Sequence, residues 1–221
     1  MEYNIGYHPV GYVPTDKADS WKSRPSPFMD MEKQNQPRRI ACYVDGFNLY
    51  HAIAPLGLKN DKVNLWSLTE SLLRPNETLV AVNYFSAYAT WRKAAYARHR
   101  AYVRDLKNSG VTPVMAHFKS KNRECLSCGD KWVEHEEKET DVRMALKMLE
   151  DAIDDVFDRA YVISADSDLV PVVQTIRRRR PQKGILIVTP PGRYNTAHDL
   201  RNAGHASYSL TTNRIRDHLF T

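Results

Sequence analysis

The chain has 221 residues, with 32 Lys and Arg against 26 Asp and Glu, a formal charge of +6. Apolar residues make up 42% and charged residues 26%, which excludes wholesale disorder and suits one ordinary domain with a real core. The best apolar run, at 184–188, is strand-sized and far short of the roughly 18–20 residues of a membrane span, so no membrane partner is expected.

The opening residues lack a basic start followed by an apolar stretch, so no secretory signal is expected. Three cysteines are too few for a disulfide framework. Both readings favour a reducing, cytoplasmic setting.

Residues 1–38 carry five of the twelve prolines and no periodic apolar pattern, and read as an N-terminal arm. Its aromatics, among them Tyr3, Tyr12 and Trp21, would let it lie along a domain or dock on a partner. Residues 39–221 read as one folded domain. Strands are expected near 39–45, 79–86, 111–118, 160–164 and 184–189, with a weak sixth at 206–210. Helices are expected near 65–73, 91–109, 140–157 and 169–179. In the third helix Val142, Ala145, Leu146, Leu149, Ala152, Ile153 and Val156 form a stripe expected to face the core. Such alternation predicts an α/β fold, a doubly wound and mainly parallel sheet of five to six strands with helices on both faces.

That fold class makes a geometric statement. Strand ends and helix starts share one edge of the sheet, where ligands bind at a reversal of strand order. Asp45 ends the first strand, Asp166 and Asp168 follow the fourth, and Asp141 opens the helix leading into it. Four carboxylates converge there if the fourth strand lies beside the first. At about 4 Å and an effective dielectric near 20, each like-charged pair costs roughly 4 kcal/mol. The groups must then separate, bind protons or share a cation, and hard oxygens suit Mg²⁺ or Mn²⁺. Such an ion can activate water against a phosphodiester. Duller roles exist for each acid: Asp168 as a helix cap, Asp141 as a complement to a helix dipole, Asp45 as a turn residue. Asp166 is hardest to dismiss, because one cap cannot use both carboxylates of "SADSD".

Taken together, "YVDGFNLYH" (43–51), "EEKETDVRMALKML" (136–149), "ISADSDLVPVV" (163–173) and "ILIVTPPG" (185–192) resemble an NYN domain. NYN domains belong to the PIN-like nuclease superfamily, and the chain is most similar to the LabA-like group. The resemblance covers roughly residues 39–220. It implies a PIN-like sandwich, a Mg²⁺ or Mn²⁺ site and ribonuclease activity on RNA, with homodimers common among PIN-like domains. Asp45, Asp141, Asp166 and Asp168 match the family's acidic metal-site positions. Asn48 matches the polar residue of the first motif, suited to hold a water or a phosphate. Lys138 matches the helix-motif lysine, one turn before Asp141 on the same face, where it would neutralise acids or touch substrate. Ser164 would orient a carboxylate or contact substrate.

Other residues suggest further chemistry. Cys125 and Cys128, in a polar loop at about 119–135, form half of a zinc knuckle. His117 and His135 flank the pair, so a zinc loop of two cysteines and two histidines, a zinc ion shared across a dimer and two free thiols are the alternatives. The helix at 91–109 interleaves basic and aromatic residues. Arg92 and Lys93 at its start suit phosphate contacts, and Trp91 or Tyr96 suits stacking on a base. Arg193, after the fifth strand, is placed to meet substrate, whereas Arg177 to Arg180 lie at the far end of their helix. The reading is a metal-dependent ribonuclease; a non-catalytic RNA-binding or interaction module on the same fold is the alternative.

Overall fold

The computed structural model describes residues 36–58 and 62–221, so the expected N-terminal arm lies outside the described residues as far as residue 35, and its last expected residue, Arg38, opens the first strand. Residues 37–221 form one compact unit. In chain order its strands are β1 (Arg38–Asp45), β2 (Glu77–Ala87), β3 (Thr112–Glu124), β4 (Lys131–Lys138), β5 (Arg159–Ile163), β6 (Gly184–Thr189) and β7 (Ala206–Ser209). The helices are α1 (Gly46–Ile53), α2 (Leu65–Glu70), α3 (Lys93–Asn108), α4 (Thr140–Ile153), α5 (Val170–Arg179), α6 (His198–Ala203) and α7 (Thr212–Arg216).

The sheet runs β4-β3-β2-β1-β5-β6-β7, parallel except for the antiparallel β3–β4 pair. Its central strand shows why both faces must be covered. Ile40, Cys42 and Val44 pack into one core with Leu49 of α1, Leu68 of α2 and Val103 and Leu106 of α3. Ala41 and Tyr43 point the other way, toward Met144 and Met148 of α4, Ile176 of α5 and Leu200 of α6. Alternate residues of one strand thus feed two separate apolar layers, the pattern that demands a three-layer sandwich.

β5 lies directly beside β1, with Val44 opposite Ile163. The chain leaves β1 for β2 on one side and returns to β5 on the other, so the strand order reverses between β1 and β5. The expected crevice therefore exists.

Three expectations need correction. The supposed polar loop at 119–135 is instead most of a long β-hairpin, which adds β4 as a seventh strand. The third predicted helix ends at Ile153 rather than 157, and the face it turns to the sheet is rotated: Ala145, Leu149 and Ala152 of the expected stripe do pack on the core, with Met144 and Met148 beside them. Met144, Met148 and Ala152 are buried, while Val142, Leu146 and Ile153 are more than half exposed. Asp151 shares the buried face, its carboxylate accepting the Tyr43 hydroxyl at 2.7 Å and the Lys147 ammonium at 2.8 Å. A satisfied buried acid of this kind masks the inward stripe in the sequence. Lys138, finally, is the last residue of β4 and not part of the helix.

Candidate active site

Three elements deliver one carboxylate each to the edge where β1 and β5 end. Asp45 closes β1 and caps α1: its Oδ1 accepts the Asn48 backbone N–H at 2.9 Å and its Oδ2 accepts the Ser164 hydroxyl at 2.9 Å. The next residue has to be small. A Cβ on Gly46 would stand 2.6 Å from the Phe85 carbonyl oxygen of β2, so the tight entry into α1 depends on glycine. Asp166 follows β5; its backbone N–H donates to Ser164 Oγ at 3.1 Å and its Oδ1 accepts the Asp168 N–H at 2.9 Å. Ser164 thereby ties the two carboxylate-bearing strand ends together.

Asp141 comes from the first turn of α4, where the helix dipole favours a negative charge. Glu139 before it has φ 77°, a left-handed turn that takes β4 straight into the helix. One oxygen from each of Asp45, Asp141 and Asp166 lies within 4.8 Å of the others. Among the described residues no Lys or Arg is hydrogen-bonded or ion-paired to any of the three. Burial pushes the Asp45 carboxyl above its ordinary value, and the charges of Asp166 and Glu137 add to this against the Asn48 and Ser164 hydrogen bonds. Burial, then the neighbouring charge of Asp45, followed by those of Asp166, Glu137 and Asp168, raises Asp141 to about 6. The cluster is strained by its own charge.

These acids floor a cleft of about 260 Å³ whose walls include Asn48, Arg193, Phe47, His51 and Glu137. Of the expected site residues, the fold gathers Asp45, Asp141, Asp166, Asn48 and Arg193. Asp168 stands outside the three-carboxylate cluster and is exposed. Ser164, expected to orient a carboxylate or contact substrate, is fully buried and does the former. Lys138 turns aside to pair with Glu136. Arg92 and Lys93 are exposed at the start of α3 and are not part of the cleft wall.

Phe47, His51 and Glu137 were missed in the sequence reading. His51 had a signal: it lies three residues after Asn48 on α1, one turn along the same face. Glu137 had none, because β4 was not recognised as a strand. Phe47 begins a line of rings leading out of the cleft. Its ring meets Phe118 at 5.7 Å, Phe118 meets Trp91 at 4.7 Å, and Trp91 stacks on His135 at 3.7 Å with planes 7° apart. Tyr96, the other expected stacking residue, packs instead against Tyr88 at 5.4 Å.

The zinc loop of two cysteines and two histidines is not formed. His135 lies opposite Ser120, and four residue pairs separate it from the hairpin tip that carries Cys125 and Cys128. At about 3.3 Å per residue this is some 13 Å, beyond any shared ligation. His117 lies still nearer the base of the hairpin, opposite Lys138.

The NYN domain profile matches residues 39–211, and this chain belongs to the NYN domain family, whose members are generally nucleases. It is 23% identical to the 6-hydroxy-3-succinoylpyridine 3-monooxygenase HspA of Pseudomonas putida (strain DSM 28022 / S16), over 80% of this chain and 68% of that protein. A protein of unknown function from Vibrio parahaemolyticus RIMD 2210633, VPA0982, has a similar crystal structure. The TM-score is 0.57 at 19% identity, covering 81% of this chain and 96% of that one, which shows a shared fold. Among the described residues no helix is long and apolar enough to cross a membrane.

Proposed function

We propose that this chain is a ribonuclease that hydrolyses RNA phosphodiester bonds at the Asp45–Asp141–Asp166 cleft with Mg²⁺ or Mn²⁺. One observation carries the reading: three carboxylates from three elements converge within 4.8 Å, and no cationic side chain among the described residues bonds any of them. Oxygen-only donors with mutual repulsion fit a hard divalent ion and suit soft metals poorly. Such an ion, when bound, activates water and stabilises charge on phosphate oxygens.

The protein's own groups do the rest. Ser164 and the Asn48 N–H fix the Asp45 carboxylate in one orientation, so it is held before substrate arrives. Arg193, beside the acids, supplies a guanidinium for a phosphate. His51 and Glu137 are the cleft groups able to take a proton from the attacking water. The rings from Phe47 to His135 offer faces on which successive bases of a single strand can stack.

The relative named for a pyridine monooxygenase suggests other chemistry at 23% identity. The acidic cluster favours a phosphodiester, because ions of this type prefer phosphate oxygens. The test uses labelled single-stranded RNA and the purified full chain. Cleavage is expected with Mn²⁺ and not with EDTA, and Asp166→Asn should slow it at least about 100-fold with unchanged circular dichroism. Undiminished cleavage by that variant removes the assignment. RNA binding that survives EDTA without turnover would instead establish a binding module.

A further inference from the structure

The Cys125–Cys128 pair takes no part in the cleft, and its surroundings are those of a metal ligand pair. We infer that the tip of the β3–β4 hairpin is half of a zinc site, closed by the same tip of a second copy of this chain as a tetrahedral centre of four cysteine sulfurs. The turn is built for it. The Cys125 N–H donates to the Asp130 carbonyl at 2.8 Å and the Cys125 carbonyl accepts the Gly129 N–H at 2.8 Å. Gly129, directly after the second cysteine, has φ 73°, a conformation that favours glycine. These hydrogen bonds close a short loop that carries both cysteines, with two residues between them.

Two thiolates do not close a structural zinc site, which takes four ligands. Among the described residues the chain cannot supply the other two. Cys42 is buried in β1, and His117 and His135 lie well down the hairpin. A second copy is the partner the geometry favours. β3 pairs with β2 only as far as Ala116, so the eight residue pairs from His117 to Glu124 form a two-stranded ribbon, packed at its base on Trp91 through Phe118 and His135. That is roughly 26 Å of hairpin, enough to bring two tips together without collision of the two sheets. Leu126 at the tip is fully exposed, and Trp132 and Val133 beside it are about half exposed at 50% and 54%. Tip-to-tip contact would cover these apolar side chains, and the two-fold arrangement supplies identical ligand pairs.

The experiment reads metal and mass, not RNA cleavage, so it stands or falls independently of the nuclease reading. Reduced, chelator-treated full-length chain is titrated with Zn²⁺ and followed by native mass spectrometry and sedimentation. One ion per two chains is expected, with at least a tenfold tighter dimer in zinc than in chelator. Co²⁺ in place of zinc should show the thiolate-to-metal absorption of a four-sulfur site. Cys128→Ser should abolish both signals, and Asp45→Asn should preserve both, which separates this site from the acidic cleft. One ion per chain, no zinc binding, or binding that survives Cys128→Ser would overturn the inference.

Discussion

The two edges of the parallel sheet both gather acidic residues, and they treat them in opposite ways. At the edge where β1 begins, Asp155 and Asp158 converge on cations. Asp158 accepts Arg39 through its backbone N–H at 2.8 Å and its guanidinium at 2.8 and 3.2 Å. Asp155 meets the same guanidinium at 2.9 Å and pairs with the Lys183 ammonium. Lys183, then Arg39, holds the Asp155 carboxyl below its ordinary range; burial raises Asp158, but the Arg39 hydrogen bonds outweigh it. At the edge where β1 ends, Asp45 and Asp141 are raised and have no such partner among the described residues. Acids that only stabilise a fold are given cations. A cluster left without them costs stability, which is what supports the proposed cation.

The largest expected effect comes from the residue that places the unpaired edge. Gly46→Ala would drive a methyl group into the Phe85 carbonyl and the Tyr84 ring, both 2.6 Å away, and one of these contacts is unyielding backbone. A loss of about 2–4 kcal/mol is expected, lowering the melting temperature by about 5–15 °C. Asp45 would move with it, so RNA cleavage should fall further than residual folding explains. A variant as stable and active as the parent would show that the β1–α1 junction has slack.

Arg39→Ala attacks the paired edge. It removes the donor shared by Asp155 and Asp158, and a loss of about 1–2 kcal/mol is expected, since the guanidinium is only partly shielded from water. Urea denaturation reads the change. The sign with pH is fixed: carboxyls held low contribute stability above their ordinary value and lose it as pH falls through their folded value. The difference between parent and Arg39→Ala should therefore shrink in acid. Cleavage, carried at the other edge, should persist.

How much of this was legible in the sequence follows from what each segment packs against. Asp45, Asp141 and Asp166 stand out because they punctuate apolar runs, and those runs are apolar because helices cover both faces of the sheet. From Lys119 to Glu137 no such signal exists. Beyond its base the β3–β4 ribbon is largely solvated on both sides, so polar residues mostly alternate with polar residues and the period of two vanishes. Glu137 was lost with it, and Lys138, expected one helical turn before Asp141 on the same face, ends the strand instead. The face of α4 was misjudged in part, for a different reason. Val142, Leu146 and Ile153 are the more conspicuous stripe, while the true inward face mixes flexible methionines with the hydrogen-bonded Asp151.

The smallest expected effect is also the most direct measure of charge crowding in the cleft. Asp141 is raised from its ordinary 3.8 to about 6, so between those values the folded chain binds more protons than the unfolded chain. Stability therefore falls as pH rises through this window, the reverse of the trend at the Arg39 edge. Two units correspond to about 3 kcal/mol, and half exposure of the group reduces this to about 1–2 kcal/mol. Asp141→Asn removes the penalty. In chelator at pH 8 the variant should melt about 2–6 °C above the parent, and at pH 4 the two should coincide. Mn²⁺ should raise the parent and close the gap, because an ion bound only to the folded state stabilises by mass action. A variant that melts lower than the parent at pH 8 in chelator would mean that the three carboxylates do not repel one another, and the case for a shared cation would lose its physical basis.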